Sequence, residues 1–174
     1  YIPRRHIDHT HPDSIVAIAA AKNSEELTAE VFGEEIGWIR WKRPGYELGL
    51  WLENFCREHP KARGVVLQSH GLFTWDDDAK TCYQLTLDVI QRASDWFEQR
   101  IAGKPAFGGP VHESLEPAAR RSVAARLMPA IRGMISGNQH MVGQFDDSAT
   151  DLAFVNAKDM PALAELGTSC PDHF

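Results

Sequence analysis

Residues 64–71 read Gly-Val-Val-Leu-Gln-Ser-His-Gly, and the architecture predicted for the chain follows from them. The apolar residues 64–67 at the start of this stretch, with two adjacent valines, are typical of a strand that is buried on both faces. Such strands occur in sheets that helices cover on both sides. We therefore predict a strand over residues 64–69, with His70 and Gly71 delivered at its C-terminal end.

Helix and strand patterns alternate on both sides of this run. The sequence predicts a strand over residues 5–11, helices over residues 14–22 and 24–32, a strand over residues 36–43 and a helix over residues 46–58. A long helix is predicted to begin after the three aspartates of residues 76–78, because carboxylates suit the positive end of a helix dipole. It extends to about Ala102. This alternation predicts a layered α/β domain over at least residues 1–103.

The organisation changes after Gly103, where Lys-Pro-Ala-Phe-Gly-Gly-Pro is typical of a loop. Beyond it we predict a helix from about Glu116 to Ile135, which Pro129 kinks or splits. Two short strands, over residues 139–145 and 152–155, and a short helix from Met160 are predicted to follow. We divide the chain accordingly into a core, residues 1–103, and an extension, residues 104–174.

Composition excludes several classes of protein. The chain has 174 residues, 43% of them hydrophobic, and a formal charge of −6, as expected for one globular domain. Its longest apolar run, residues 15–21, is far shorter than the roughly 20 residues that span a bilayer, so no membrane segment is predicted. The basic residues are scattered, which argues against a nucleic-acid partner. Three cysteines without CxxC spacing fit a reducing cytoplasm.

Three of the eight histidines form a candidate metal site. His9 and His11 are two positions apart on a predicted strand, so their side chains share one face about 6 to 7 Å apart. His70 ends another predicted strand. Because Gly71 has no side chain, we expect unoccupied space beside the His70 imidazole. Three histidines with an open position suit catalytic zinc. A His-x-His pair also arises by chance in a histidine-rich chain, so a structural role stays open at this point.

The other candidate ligands are weaker. His6 has the opposite strand parity from His9 and is expected at the surface or beside the site rather than in it. Cys170 and His173 have the spacing of a metal-binding pair, but a second pair is missing and a turn at the chain end is the simpler reading. The remaining histidines are expected to be structural or surface residues: His59, His112 and His140.

Three motifs, taken in order, resemble the class II aldolase/adducin family. They are His9-Thr-His11-Pro, the helix start Pro44-Gly45-Tyr-Glu-Leu, and Val66-Leu-Gln-Ser-His70-Gly71. Residues 6–13, 36–45, 70–75 and 167–174 are similar, more narrowly, to the aldolase domains of bifunctional rhamnulose-1-phosphate aldolase/alcohol dehydrogenase proteins. The resemblance covers essentially the whole chain.

This resemblance implies a three-layer α/β/α sandwich in which His9, His11 and His70 bind Zn²⁺. It implies reversible aldol cleavage of a ketose 1-phosphate, rhamnulose 1-phosphate, to dihydroxyacetone phosphate and lactaldehyde, in a homo-oligomer with its site near a subunit interface. The family's catalytic base and phosphate-binding residues would precede Tyr1, so we expect a fragment that lacks the N-terminal part and assign no catalytic residue. An NAD-dependent short-chain dehydrogenase domain is expected after Phe174.

Two alternatives remain. A pentose-phosphate 4-epimerase of the same family uses the same zinc and the same retro-aldol logic. An adducin-type domain of the same fold serves as a non-enzymatic interaction module and need not keep the metal ligands. The presence of all three histidines argues against the interaction module, whereas only the narrower resemblance separates the aldolase from the epimerase.

Overall fold

A computed structural model of the chain describes residues 1–167. Their elements are, in chain order, β1 (His6–Thr10), α1 (Asp13–Ala19), α2 (Ser24–Phe32), β2 (Ile36–Ile39), α3 (Tyr46–Glu58), β3 (Gly64–Leu67), β4 (Gly71–Asp76), α4 (Ala79–Ile101), a 3₁₀ turn (Ala106–Gly108), α5 (Pro117–Ile135), α6 (Ala149–Val155) and α7 (Met160–Glu165). These elements form two compact units, residues 1–102 and residues 103–166. Within residues 1–167 no helix is long and apolar enough to cross a bilayer.

The first unit is built on a four-stranded sheet in the order β1-β4-β3-β2. β4 runs antiparallel to both of its neighbours, and β2 runs parallel to β3. All four residues of β3 are buried. Because neighbouring residues on a strand point to opposite faces, Val65 and Val66 enter two different cores.

Helices cover both faces of this sheet. On one face α1, α2 and α4 pack around Val66, and on the other α3 packs around Val65. Full burial of one large apolar side chain contributes roughly 1.5–3 kcal/mol relative to exposure. The principal helix residues in the first core are Ile15, Ile18, Phe32, Leu85 and Val89, and those in the second are Leu48, Leu52 and Phe55. The predicted three-layer α/β/α sandwich is confirmed.

β4 was not predicted. Residues 71–76 were expected to lead from His70 into the long helix, whereas they form a strand that pairs with β3 through a tight hairpin from Leu67 to Gly71. The aromatic and β-branched residues Phe73, Thr74 and Trp75 favour this strand, and only three residues separate it from β3. His70 therefore lies in a hairpin turn rather than at a free strand end.

The predicted start of the long helix is confirmed, and Asp78 caps it. The carboxylate of Asp78 accepts hydrogen bonds from the backbone N–H and the hydroxyl of Thr81, each at 2.9 Å. These bonds, the backbone bond first, hold the pKa of Asp78 below its ordinary value. Their stabilising effect is complete at neutral pH and is lost as the pH falls through the folded-state pKa.

We expect Asp78→Asn to lower the thermal unfolding midpoint at pH 7, because the charged acceptor at the helix N-terminus is lost. The difference from wild type should shrink once the pH falls below about 3.9, the pKa of aspartate in an unfolded chain. Thermal unfolding followed by circular dichroism between pH 7 and 3 measures both effects. Glu98→Gln on the exposed surface of the same helix is the control. A difference in unfolding midpoint between Asp78→Asn and wild type that grew in acid would contradict the role of the charged cap.

The second unit corrects several predictions. α5 continues through Pro129 as one helix, so Pro129 does not split it, while a kink at Pro129 stays a prediction. Residues 139–145 are irregular, because Arg132 and Ser136 side chains, rather than a neighbouring strand, bond the main chain of Met141. Residues 152–155 lie in α6, which begins after the N-cap Ser148, so neither predicted strand exists. That residues 104–174 connect to a dehydrogenase domain stays a prediction.

Candidate metal centre

The fold brings His9, His11 and His70 together. One ring nitrogen from each of the three lies within 4.8 Å of the others. His9 comes from β1, where it stands opposite Phe73 of β4 and stacks on that ring at 4.1 Å between centroids. His11 follows β1 with the same parity, and His70 comes from the β3–β4 hairpin. The convergence that strand parity and strand ends predicted is present, while metal binding stays a prediction.

A hydrogen bond orients the His9 ring. Its Nδ1 lies 2.9 Å from the carbonyl oxygen of Leu72. Because a carbonyl can only accept, Nδ1 carries the proton, and in the neutral ring Nε2 presents a lone pair. Metal-bound histidines ordinarily make this kind of bond through their second ring nitrogen, which fixes the tautomer and the ring orientation.

The ligand atoms of His9 and His11 have a spacing that suits one shared ion. Their Nε2 atoms lie 3.1 Å apart. Two nitrogens bound to one tetrahedral zinc at about 2.0–2.1 Å lie about 3.3 Å apart. The contact is a hydrogen bond when one of the two atoms carries a proton, and it becomes a pair of adjacent ligands when neither does.

Gly71 is required by the position of His11. A Cβ at residue 71 would lie 2.3 Å from Cδ2 of His11 and 2.7 Å from the carbonyl oxygen of Thr10. The space that Gly71 leaves is therefore occupied by the His11 ring, whereas the sequence predicted open ground beside His70. The glycine lets two imidazoles approach each other rather than admitting a ligand.

The three histidines line a cleft of about 530 Å³ between the sheet and the start of α3. His70 is buried and His9 is exposed. Within residues 1–167 no acidic side chain belongs to the group. Three nitrogen donors facing a cleft are the arrangement of a catalytic metal site, whereas structural zinc sites are closed by four protein ligands. The other lining residues are Tyr1, Pro44, Gly45, Tyr46, Leu48, Gly49, Leu52 and Phe73.

The remaining candidates do not join the group. Burial raises the pKa of the Cys82 thiol, and the nearby carboxylate of Asp8 raises it further, so Cys82 remains a protonated core residue. His59 stacks on Phe55 at the end of α3 with 4.6 Å between ring centroids. Cys170 and His173 lie outside the described residues. The other described histidines are exposed: His6, His112 and His140.

The site contains two residues that the sequence analysis missed, Leu72 and Phe73. Both lie on β4 and contact His9, one through its carbonyl oxygen and the other through its ring. They were missed because β4 was missed. The signal was present in residues 71–76, whose aromatic and β-branched side chains favour a strand directly after the His-Gly turn.

A known protein is similar to this chain in sequence, and solved structures are similar to it in fold. The uncharacterized oxidoreductase YuxG of Bacillus subtilis (strain 168) is 36% identical over 173 residues, which are 99% of this chain and 25% of that protein. The chain thus spans about a quarter of that relative's length. The N-terminal class II aldolase domain of a conserved protein from Thermoplasma acidophilum aligns with a TM-score of 0.49 and 25% identity, covering 55% of this chain and 43% of that one. For an aldolase II superfamily protein from Pseudomonas syringae the TM-score is 0.42, the identity 16% and the coverage 73% and 56%.

Two family models match the sequence itself. Residues 122–174 match the family described as "Aldolase class II, second domain". Residues 3–96 match the "Class II Aldolase and Adducin N-terminal domain". This second match spans more than half of the chain and contains the whole sheet and all three histidines. The chain belongs to the class II aldolase and adducin family.

Proposed function

We propose that this chain is the zinc-binding part of a lyase that cleaves a ketose 1-phosphate, rhamnulose 1-phosphate, to dihydroxyacetone phosphate and lactaldehyde. One observation carries the proposal: the imidazoles of His9, His11 and His70 converge on one cleft in a chain of a family named for class II aldolases. Aldolases of this class are generally metal-dependent, so the three converging imidazoles would serve as the metal ligands.

The donor set fits zinc. His9 presents Nε2 because its Nδ1 donates to Leu72, and Gly71 provides the space in which His11 approaches it. In the proposal His9, His11 and His70 hold the ion from the sheet side of the cleft. When bound, zinc supplies a Lewis acid that stabilises negative charge on the hydroxyl and carbonyl oxygens of the substrate. We assign the catalytic base and the phosphate contacts to no described residue.

The choice of substrate rests on two supports of different kind. A cleft of about 530 Å³ lies within the range of roughly 300–1,000 Å³ that small-molecule sites have. The motifs of residues 6–13, 36–45, 70–75 and 167–174 resemble the bifunctional rhamnulose-1-phosphate aldolases, and residues 36–45 and 167–174 are the ones that point to this subgroup. The word "oxidoreductase" in the name of YuxG, which is about four times as long, agrees with a further NAD-dependent domain. We extend the proposal to a cytoplasmic homo-oligomer.

The proposal is tested on the intact gene product. The protein is stripped with a chelator, reloaded with zinc and incubated with rhamnulose 1-phosphate, and release of dihydroxyacetone phosphate is measured. We expect release from the zinc-loaded sample and none from the stripped one. Interconversion of pentulose 5-phosphates without cleavage would replace the aldolase by the 4-epimerase. A protein that neither binds zinc nor turns over either sugar phosphate would favour the interaction module.

A further inference from the structure

A buried polar link joins β1 to α4 on the face of the sheet opposite the histidines. The hydroxyl of Thr86 lies 2.9 Å from Oδ2 of Asp8 and 2.6 Å from the hydroxyl of Thr74. Thr74 and Thr86 are buried, and Asp8 is half-buried. Asp8 and Thr74 stand directly opposite each other in the β1–β4 pair, and Thr86 bridges them from the helix.

The direction of the hydrogen bonds follows from the donors available. The Thr86 hydroxyl has a single proton, and it donates this proton to the carboxylate of Asp8 at 2.9 Å, because that acceptor is charged and is nearer than the carbonyl oxygen of Cys82 at 3.1 Å. The proton in the Thr74–Thr86 bond therefore comes from Thr74. A chain of two O–H bonds that ends on a carboxylate is stronger than two isolated neutral bonds.

The position of β1 depends on this link more strongly than the position of an inner strand would. Among the described residues it is an edge strand that pairs only with β4, and none of its five residues is buried. It nevertheless carries His9 and leads directly into His11. Asp8 precedes His9 by one residue and points to the opposite face, so a contact that holds Asp8 also holds the backbone from which His9 projects.

We propose that Thr86 is a positioning residue for the histidine group. Its hydrogen bond to Asp8 fixes the position of β1 relative to α4. This fixed position of β1 in turn sets the positions of His9 and His11 relative to His70. The inference rests on the proposed function only in that the bound ion is zinc. Thr86 itself lies on the other side of the sheet from the cleft and acts solely through β1.

The test compares three threonine variants by zinc titration against a competing chelator. Thr86→Val keeps the shape of the side chain and removes the hydroxyl, and we expect zinc affinity to fall about 10- to 100-fold, the range seen when a group that orients a metal ligand is lost. Thr86→Ser should restore affinity to within about twofold of wild type, because it keeps the hydroxyl. Thr10→Val is the matched control, since the Thr10 hydroxyl is buried on the same strand and has no hydrogen-bond partner among residues 1–167. Its zinc affinity should equal that of wild type.

Amide hydrogen exchange provides a second readout that does not need zinc. In Thr86→Val the amides of residues 6–10 should exchange faster while those of β3 stay protected, because only the edge strand is released. Asp8→Ala should reproduce this pattern and reports on the same link if Thr86→Val does not fold.

The outcomes separate this inference from the proposed function. Unchanged zinc affinity and unchanged β1 exchange in Thr86→Val would overturn the inference while leaving the metal site standing. Equal weakening in Thr86→Ser and Thr86→Val would overturn it as well, because the hydroxyl would then not be the cause. A wild type that binds no zinc would overturn the metal site, and the exchange data would still decide whether Thr86 anchors β1.

Discussion

His70→Ala should lose zinc binding, with affinity falling by more than the roughly 10- to 100-fold that follows loss of a hydrogen-bond partner to a ligand. The imidazole is one of three nitrogen donors in the group, and only 8% of the residue is exposed. Alanine has no ligand atom that could replace the imidazole nitrogen. Isothermal titration of zinc into the chelator-stripped protein measures the change.

Two controls separate ligand loss from general damage. His6→Ala removes an exposed imidazole from the opposite face of β1, and its zinc affinity should match wild type. Far-ultraviolet circular dichroism should show that His70→Ala keeps its helices, which pack on cores that do not include His70. Wild-type affinity in His70→Ala would remove this residue from the site.

Gly71→Ala should damage both the site and the fold. The added Cβ would lie 2.3 Å from the His11 ring and 2.7 Å from the backbone carbonyl oxygen of Thr10, so the ring and the end of β1 must both move. Overpacking of this kind destabilises by typically about 1–3 kcal/mol. We expect a loss of that size in urea unfolding, together with weaker zinc binding because His11 is displaced from His9.

Gly133→Ala is the matched control for this substitution. Apart from the two neighbouring residues and the nearby backbone of α5, no atom in the described part of the chain lies within 4 Å of a Cβ added at Gly133, which is inside this helix. Alanine is the better helix former there by about 0.5–1 kcal/mol, so this variant should gain stability and bind zinc as wild type does. Equal stability of Gly71→Ala and wild type would mean that the close approach of His11 to Gly71 does not occur.

Local sequence patterns predicted the elements whose ends are marked by proline or glycine. α3 has its predicted bounds, Tyr46–Glu58, because Pro44-Gly45 precedes it, and α2 ends as predicted at Gly33. The buried character of residues 64–67 identified β3 and, with it, helix cover on both faces. Parity placed His9 and His11 on one face. These inferences use only neighbours in sequence, which is why they succeed.

What the sequence did not reveal depends on contacts between distant residues. Residues 71–76 have local strand character, but the position of β4 in the sheet, between β1 and β3, follows only from its pairing with both. Thr86 lies 78 positions from Asp8 and reads as an ordinary residue of a helix. Residues 139–145 show the converse case, a strand that was predicted and does not form. They have strand character but no partner strand in the described part of the chain, and a lone strand is not stable.

The central claim is that three histidines hold one zinc ion, and X-ray absorption at the zinc edge tests it most directly. On protein loaded with one equivalent of zinc, we predict three imidazole nitrogens at about 2.0–2.1 Å from the ion, falling to two in His70→Ala. A shell containing sulfur at about 2.3 Å, or one that His70→Ala leaves unchanged, would contradict it.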